Sequence, residues 1–408
     1  MKCRHCDALV TLPFVDLGSS PPSNAYLTPV QLQAPESYYP LRVLVCESCW
    51  LVQTEDFAGF DDMFSAEYAY FSSFSSTMLA HVKRYSEEMT ARFGLNTKSC
   101  VVEVASNDGY LLKNFKIAGI PCYGVEPTAS TAKAAREIGV ASIEEFFGKK
   151  LAARLVAEGR QADLTAANNV LAHVPDINDF VSGFAMLLKD QGVSTFEFPH
   201  LLNLVDKAQF DTIYHEHFSY LSLTSVNTIF KANGLSVFDV EEIATHGGSL
   251  RIFAQKTSTG KHVTSPRVAD MLAHEAALGM KTAAYYSKTQ ADAVRIKRDL
   301  LQFLLKAQAE GKTVAAYGAA AKGNTLLNYA GVRDDLVKFV VDLNPAKQNK
   351  FMPGSRIPMV GADVLGTTAP DYMLILPWNL EAEIKAQLAA NHTVTWRYVM
   401  AVPHLKIG

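Results

Sequence analysis

Two groups of residues in this 408-residue chain have side chains and spacings that point to chemistry. The first is four cysteines in two hooks, Cys3-Arg-His-Cys6 and Cys46-Glu-Ser-Cys49. A gap of two residues lets both thiolates of a hook face one ion, and two hooks close a tetrahedral shell around zinc. Four sulfurs leave no position for water, so the predicted site is structural. His5 could replace a cysteine, but an exposed neutral ring on a hook is the plainer reading. The second group is Gln209-Phe-Asp-Thr-Ile-Tyr214-His215-Glu216-His217-Phe-Ser-Tyr220. An unperturbed histidine titrates near pH 6.5 and suits a general base at neutral pH. If the segment is extended, Tyr214, Glu216 and Phe218 share one face and His215 and His217 the other. If it bends, Tyr214, Glu216 and His217 converge; the competing reading is a hydrogen-bonded structural cluster. The order is not H-E-x-x-H, which gives no support to a helical zinc-protease site.

These groups need elements to hold them. Residues 1–75 read as a short ribbon with Pro/Ser-rich loops, too small for a strong core without its metal. Met78 to Phe93 has helical spacing and ends at Gly94. From Ser99 the pattern becomes strand–turn–helix: strands at 101–105, 122–126, 164–167 and 193–197, with helices at 110–118 and 130–138. That alternation predicts a parallel doubly wound sheet. A long helical stretch from Val268 to Ala309, broken at Gly279, leads to a second alternation with strands at 313–317, 338–342, 373–376 and 393–398. The fold class is therefore α/β in three units: a zinc-binding module (1–75), a central Rossmann-like domain (76–245) and a second Rossmann-like domain (246–408). Cys100 and Cys122 border core strands and read as small buried hydrophobes.

In such sheets ligands bind beyond the carboxyl ends of the strands. The first loop, Glu103-Val-Ala-Ser-Asn107-Asp108-Gly109, has one glycine and is a poor diphosphate cradle, suiting a ligand without phosphate. Glu126, before Pro127, ends the next strand, where a carboxylate can accept both hydroxyls of a ribose. Asn168-Asn169 end another with amides that donate and accept. His173 lies just beyond them and faces the same crevice. In the second sheet, Gly318-Ala-Ala-Ala-Lys322-Gly-Asn324 follows a strand, and Asp342 ends the next. This imitates a dinucleotide fingerprint without its central glycine. Lys322 and the helix start make an anion site that a diphosphate would fit.

The loop and strand ends resemble S-adenosylmethionine-dependent methyltransferases of the Rossmann-like class. The resemblance implies that Glu103, Asn107, Asp108, Gly109, Glu126, Pro127, Asn168 and Asn169 line the cofactor, with Glu145 at the adenine amino group. A longer series of motifs runs in order: the four cysteines, Tyr68-Ala-Tyr70-Phe-Ser-Ser73, Glu103 to Leu112, Asn168 to His173, Tyr214-x-Glu-His217-Phe, His246-Gly-Gly-Ser-Leu-Arg251 and Tyr317 to Asn324. Across essentially the whole chain this resembles the nucleotide-sugar C-methyltransferases that build branched deoxysugars. The resemblance implies His217 as base, Tyr214 or Glu216 as support, and His173 and Tyr70 nearby. It assigns His246, Arg251, Lys322, Asn324 and Asn349 to a nucleotide-linked keto deoxysugar, with thymidine diphosphate favoured as carrier. S-adenosylmethionine and structural zinc are the implied cofactors. The rivals are an NAD-dependent oxidoreductase or epimerase, an O- or N-methyltransferase, and a zinc-bearing interaction protein.

Composition narrows the classes further. The chain is 49% hydrophobic and 19% charged with a formal net charge of −3, so it can bury a full core and lacks a basic footprint for nucleic acid. No apolar run reaches the roughly 18–20 residues of a membrane span. The first residues lack the apolar stretch of a secretory signal, which predicts a reducing cytoplasm and unpaired cysteines. A monomer would suffice to enclose one cleft.

Overall fold

The structure is a computed structural model that describes residues 1–57, 73, 75–391 and 396–408. It contains a four-, a seven- and a six-stranded sheet. The first is an antiparallel meander of Leu12–Ser20, Tyr39–Val45 and Val52–Thr54. Its fourth strand arrives from far along the chain: Ser219–Tyr220 pairs antiparallel with Gln53 and Val52. The small module therefore grips the end of the His217 segment directly. Val43, Val45 and Val52 are fully buried and share one core with Phe210, Ile213, Leu300 and Leu326 from later in the chain.

The central sheet runs in the order Leu235–Ile243, Ser249–Lys256, Leu188–Pro199, Ala162–Asn168, Val101–Val104, Cys122–Val125, Ser142–Ile143. Its last five members are mutually parallel, as the strand–helix alternation predicts. The first two are antiparallel and depart from that prediction. They are joined by a tight turn with positive φ at His246 (53°), Gly247 (88°) and Gly248 (118°), a conformation that glycine adopts without a steric penalty. The boundary drawn at 245/246 falls in this turn, between two neighbouring strands of one sheet. The chain runs outward from Val101–Val104 on one side, then returns to place Ala162–Asn168 on the other. The crevice between these two strands is the topological switch point, where open α/β sheets bind ligands.

Helix Ser76–Phe93 matches its expected span, with Ser75 accepting a hydrogen bond from the Met78 N–H and Gly94 in the left-handed conformation at its end. It buries Val82, Tyr85 and Met89 against Leu112 and Phe115 beside the central sheet. The 268–309 stretch resolves into helices Pro266–Ala277, Ala283–Tyr286 and Thr289–Ala309. The third sheet is parallel except for its edge strand Lys406–Ile407. Cys100 and Cys122 are only partly buried.

Candidate active site and metal centre

The two cysteine hooks fold alike. Asp7 N–H bonds back to the Cys3 carbonyl and Trp50 N–H to the Cys46 carbonyl, and Asp7 and Trp50 both take positive φ (59° and 61°). Each hook thus curls so that its two sulfurs face one point. The Cys3–Cys49 and Cys6–Cys46 sulfurs lie 3.5 and 3.6 Å apart, and all four fall within 4.8 Å of one another. Zn–S bonds of about 2.3 Å in a tetrahedron require sulfurs about 3.8 Å apart, so the donors fit zinc. Gln53 adds an amide N–H to the Cys3 sulfur at 3.3 Å.

At the switch point of the central sheet lies a cavity of about 480 Å³. The loop after Val101–Val104 is tightly coiled, with positive φ at Ala105, Asn107 and Gly109. Gly109 is needed there twice over, because a Cβ would also press within 3.2 Å of Ala135 and Val140. Glu126 braces this loop, one carboxylate oxygen accepting the Asn107 N–H and the other the Thr128 N–H, each at 2.9 Å. Asn107, Glu126, Pro127, Asn168 and Asn169 line the cavity. Glu103 and Asp108 lie buried behind the loop.

Several buried polar atoms here have no partner among the described residues: both amide atoms of Asn168, the Asn169 oxygen, one Glu103 oxygen and one Asp108 oxygen. Such atoms are costly unless a ligand or water satisfies them. Burial, followed by the charges of Asp108, Glu126 and Glu197, pushes the Glu103 carboxyl well above its usual range. S-adenosylmethionine carries an ammonium and a sulfonium and needs partners for its ribose and adenine, so this donor set and excess negative charge fit it. Glu145 is placed elsewhere: its half-exposed side chain pairs with Arg154 outside the cavity, while the next residues, Phe146 and Phe147, supply the wall.

Of the extended and bent conformations left open by the sequence, the His217 segment takes the bent one, through a His217 N–H to Tyr214 carbonyl bond of 2.9 Å. The bend brings the Tyr214 and His217 rings to 4.0 Å and the His173 and His217 rings to 4.5 Å. His173 and His246 both line the cavity. The Nδ1 of His217 lies 2.9 Å from the Thr212 carbonyl. A carbonyl can only accept, so Nδ1 carries the hydrogen and Nε2 keeps its lone pair. Burial, then the nearby His173, His246 and Lys322, holds the His217 ring well below its ordinary value, against the pull of the Thr212 carbonyl. Burial likewise lowers His173 and His246 to about 4. All three rings are neutral at physiological pH. Thr54 fixes the segment from the zinc module by donating its hydroxyl to the His217 carbonyl at 2.6 Å.

Glu216 does not join this group through its side chain. It points the other way and accepts the Asn24 amide at 2.6 Å; its second oxygen is buried without a partner, and burial raises its carboxyl to about 7. His215 is tied to the N-terminal sheet, its Nε2 lying 3.2 Å from the carbonyls of Tyr39 and Pro40. Tyr70 lies outside the described residues.

The residues assigned to substrate scatter. Arg251 is buried, with its Nε 2.7 Å from Glu197, which also meets His81 at 2.8 Å. Burial alone would raise Glu197, but His81 and Arg251 bring it below the usual range. Arg251 and His246 border a neighbouring cavity of about 360 Å³. Asn324 is fully buried and donates to the Ser23 carbonyl at 2.6 Å. Asn349 is exposed, with φ of 61° and its N–H on the Met359 carbonyl. Lys322 lies over the Trp378 ring at 4.4 Å and donates to Asn379 at 2.7 Å.

The dinucleotide-like pattern of the second sheet turns out to be occupied by protein. Asp342 accepts the N–H groups of Ala319 and Asn344, both at 2.8 Å, and pairs with Lys347. The glycines 318 and 323 admit Pro377 and Leu376, which would clash with any Cβ. Their spacing serves packing. Asp211, Trp378, Asn24 and Thr54 are site neighbours that the sequence reading did not single out. Asp211 alone had a signal, since it lies within the polar cluster.

A sheet with this switch-point cavity and a four-thiolate centre defines a Rossmann-like methyltransferase bearing zinc. Family models agree along the chain: "C-methyltransferase C-terminal domain" matches residues 244–403, "Methyltransferase domain" 78–240 and "Putative zinc binding domain" 3–64. The chain is 35% identical over 383 residues to C-methyltransferase NovU of Streptomyces niveus, covering 94% of this chain and 91% of that protein. It belongs to the C-methyltransferase family. Solved structures with partial similarity include the magnesium protoporphyrin IX methyltransferase ChlM of Synechocystis PCC 6803 with bound SAH (16% identity, 44% of this chain and 83% of that one, TM-score 0.35). Another is PH0226 of Pyrococcus horikoshii OT3 (15% identity, 50% and 100%, TM-score 0.37). The protein is thus an enzyme, an S-adenosylmethionine-dependent C-methyltransferase that also binds structural zinc. Among the described residues no helix is long and apolar enough to cross a membrane.

Proposed function

We propose that the enzyme methylates a carbon next to the ketone of a nucleotide-linked 4-keto deoxysugar, with His217 as the base. Carbon is a weak nucleophile unless an adjacent carbonyl can hold the electron pair as an enolate, so a keto sugar supplies what a C-methyltransferase needs. The nucleotide-linked sugar, with thymidine diphosphate favoured, rests on the series of motifs shared with the deoxysugar C-methyltransferases. In this reading residues 1–75, 76–245 and 246–408 act as three units around one cleft. Asn107, Asp108, Glu126, Asn168 and Asn169 hold the cofactor, which when bound supplies an electrophilic methyl group on a sulfonium.

The observation that carries the proposal is the Nε2 lone pair that the Nδ1 bond to Thr212 leaves on His217, set beside a ring that lines the cofactor cavity. The low basicity of this ring in the empty site keeps it unprotonated at neutral pH. An imidazolium there is disfavoured only until a counter-charge appears, and an enolate formed alongside provides one. Tyr214, whose ring lies tilted 4.0 Å from that of His217, would donate to the oxygen, and Thr54 and Thr212 fix the segment from either side. Alignment and exclusion of water do the rest.

Incubation with S-adenosylmethionine and a panel of nucleotide-linked 4-keto deoxysugars tests this by mass spectrometry and NMR. A new methyl on carbon beside the former ketone is expected; methylation on oxygen or nitrogen would overturn it. The oxidoreductase reading predicts NADH binding; both oxygens of Asp342, the carboxylate it would use, already accept backbone N–H groups from Ala319 and Asn344.

A further inference from the structure

Helix Ala321–Ala330 lies against the His217 segment: the Thr325 hydroxyl donates to the Ile213 carbonyl at 2.8 Å. Lys322 stands three residues earlier, on the same helical face. Its ammonium rests over the Trp378 ring and gives one hydrogen to Asn379. Trp378 is itself fixed, its indole N–H donating to the buried Asp211 carboxylate at 2.8 Å. The far edge of the Trp378 ring fills the space that a Cβ on Gly247 would need, directly after the cavity-lining His246. The cation is therefore held by an aromatic plate and an amide at the rim of the site, close enough for its charge to disfavour protonation of His217 and His246. An ammonium has three donors, and Asn379 takes one.

Two substrate groups could use such a cation, the diphosphate or the ketone oxygen. A diphosphate brings several negative charges and is served by multiple cations or backbone N–H groups. Here a single, partly buried lysine is accompanied by a buried carboxylate, Asp211, whose charge would repel a polyanion. One developing negative charge matches one fixed cation. The bond from Thr325, on the same helical face, to the Ile213 carbonyl also sets Lys322 on the side of the base.

We propose that Lys322 is a catalytic residue that donates to the ketone oxygen as negative charge develops there, rather than an anchor for the diphosphate. This rests on the keto-sugar reading above. His217 Nε2 takes the proton from the carbon beside the carbonyl, the C–H pair forms the new C=C bond, and the carbonyl π pair moves to the oxygen facing Lys322. The oxygen's pair then re-forms the carbonyl while the C=C pair bonds to the methyl. The methyl–sulfur pair stays on sulfur, leaving neutral S-adenosylhomocysteine, and the proton on His217 passes to solvent. In the reaction Lys322 neutralises the oxygen; in the empty site its charge only adds to the burial that disfavours protonation of His217.

The test compares the zinc-loaded wild type with Lys322→Met and Lys322→Arg. Two quantities are read: exchange of the α-hydrogen of dTDP-linked 4-keto deoxysugars with deuterated water in the presence of S-adenosylhomocysteine, and the affinity for dTDP alone. Lys322→Met is expected to lower exchange at saturating substrate by roughly 100- to 1,000-fold, the usual loss of one oxyanion donor, with dTDP affinity within threefold of wild type. Lys322→Arg should recover part of the exchange. If Lys322→Met fails to bind S-adenosylhomocysteine, Lys322→Gln is judged by the same criteria. Wild-type exchange in the variant, or a tenfold loss of dTDP affinity with normal saturated exchange, would overturn the proposal. Absence of exchange in the wild type on every sugar would instead refute the keto-sugar reading.

Discussion

Replacing Glu216 by glutamine should stabilise the protein at alkaline pH and leave it nearly unchanged in mild acid. The carboxyl is 1% exposed, with one oxygen on the Asn24 amide and the other buried without a partner. Burial raises its pKa from an ordinary 4.5 to about 7, against the stabilising pull of Asn24. The folded state thus holds this proton more tightly than the unfolded chain does. Its contribution to stability is fully present below pH 4.5, fades as pH rises through 7, and is gone above that. The gap corresponds to about 3 kcal/mol at 1.36 kcal/mol per pH unit. Glutamine has the shape of the protonated acid, can still accept from Asn24, and never ionises. Urea unfolding of the zinc-loaded wild type and Glu216→Gln at pH 5 and pH 8.5 measures the difference. The variant should match the wild type within about 1 kcal/mol at pH 5 and exceed it by about 2–3 kcal/mol at pH 8.5. Equal effects at both pH values, or destabilisation at pH 8.5, would show that this carboxylate is not desolvated in the folded state.

Two further outcomes follow from the geometry. Cys46→Ser should abolish stoichiometric zinc, read by atomic absorption. It should also lower methyl transfer although the metal takes no part in the reaction, because the module that zinc closes pairs with Ser219–Tyr220 and holds the His217 carbonyl through Thr54. Asn168→Ala removes two buried amide atoms that have no partner among the described residues, so affinity for S-adenosylhomocysteine by calorimetry should fall by about 10- to 100-fold, as expected for hydrogen bonds worth about 1.5–3 kcal/mol, with little change in melting temperature.

Much of the architecture is legible in the sequence because the decisive signals are local. The cysteine hooks and helix Ser76–Phe93 with its Gly94 stop are each set by residues within a few positions of one another. The antiparallel pair Leu235–Ile243 and Ser249–Lys256 escaped because its glycine turn reads as a linker, and strand direction depends on where the chain returns to the sheet. Long-range partners were hidden for the same reason. Asn24 lies 192 residues from Glu216, and Thr54 lies 163 from His217. The glycines at 318 and 323 imitate a phosphate loop because close packing against Pro377 and Leu376 makes the same demand as close approach of a ligand. Sequence spacing shows that a small residue is required and leaves open what approaches it.

The most direct measurement is α-hydrogen exchange by His217→Asn. Asparagine retains an N–H that can reach the Thr212 carbonyl but has no atom in place of Nε2. With a dTDP-linked 4-keto deoxysugar that the wild type methylates, and S-adenosylhomocysteine bound, the wild type should exchange the hydrogen beside the ketone with deuterated water. The variant should lose that exchange and methyl transfer together, by at least roughly 100-fold as for removal of a general base, while binding S-adenosylhomocysteine as tightly as before. Exchange at the wild-type rate in His217→Asn would show that another group removes the proton.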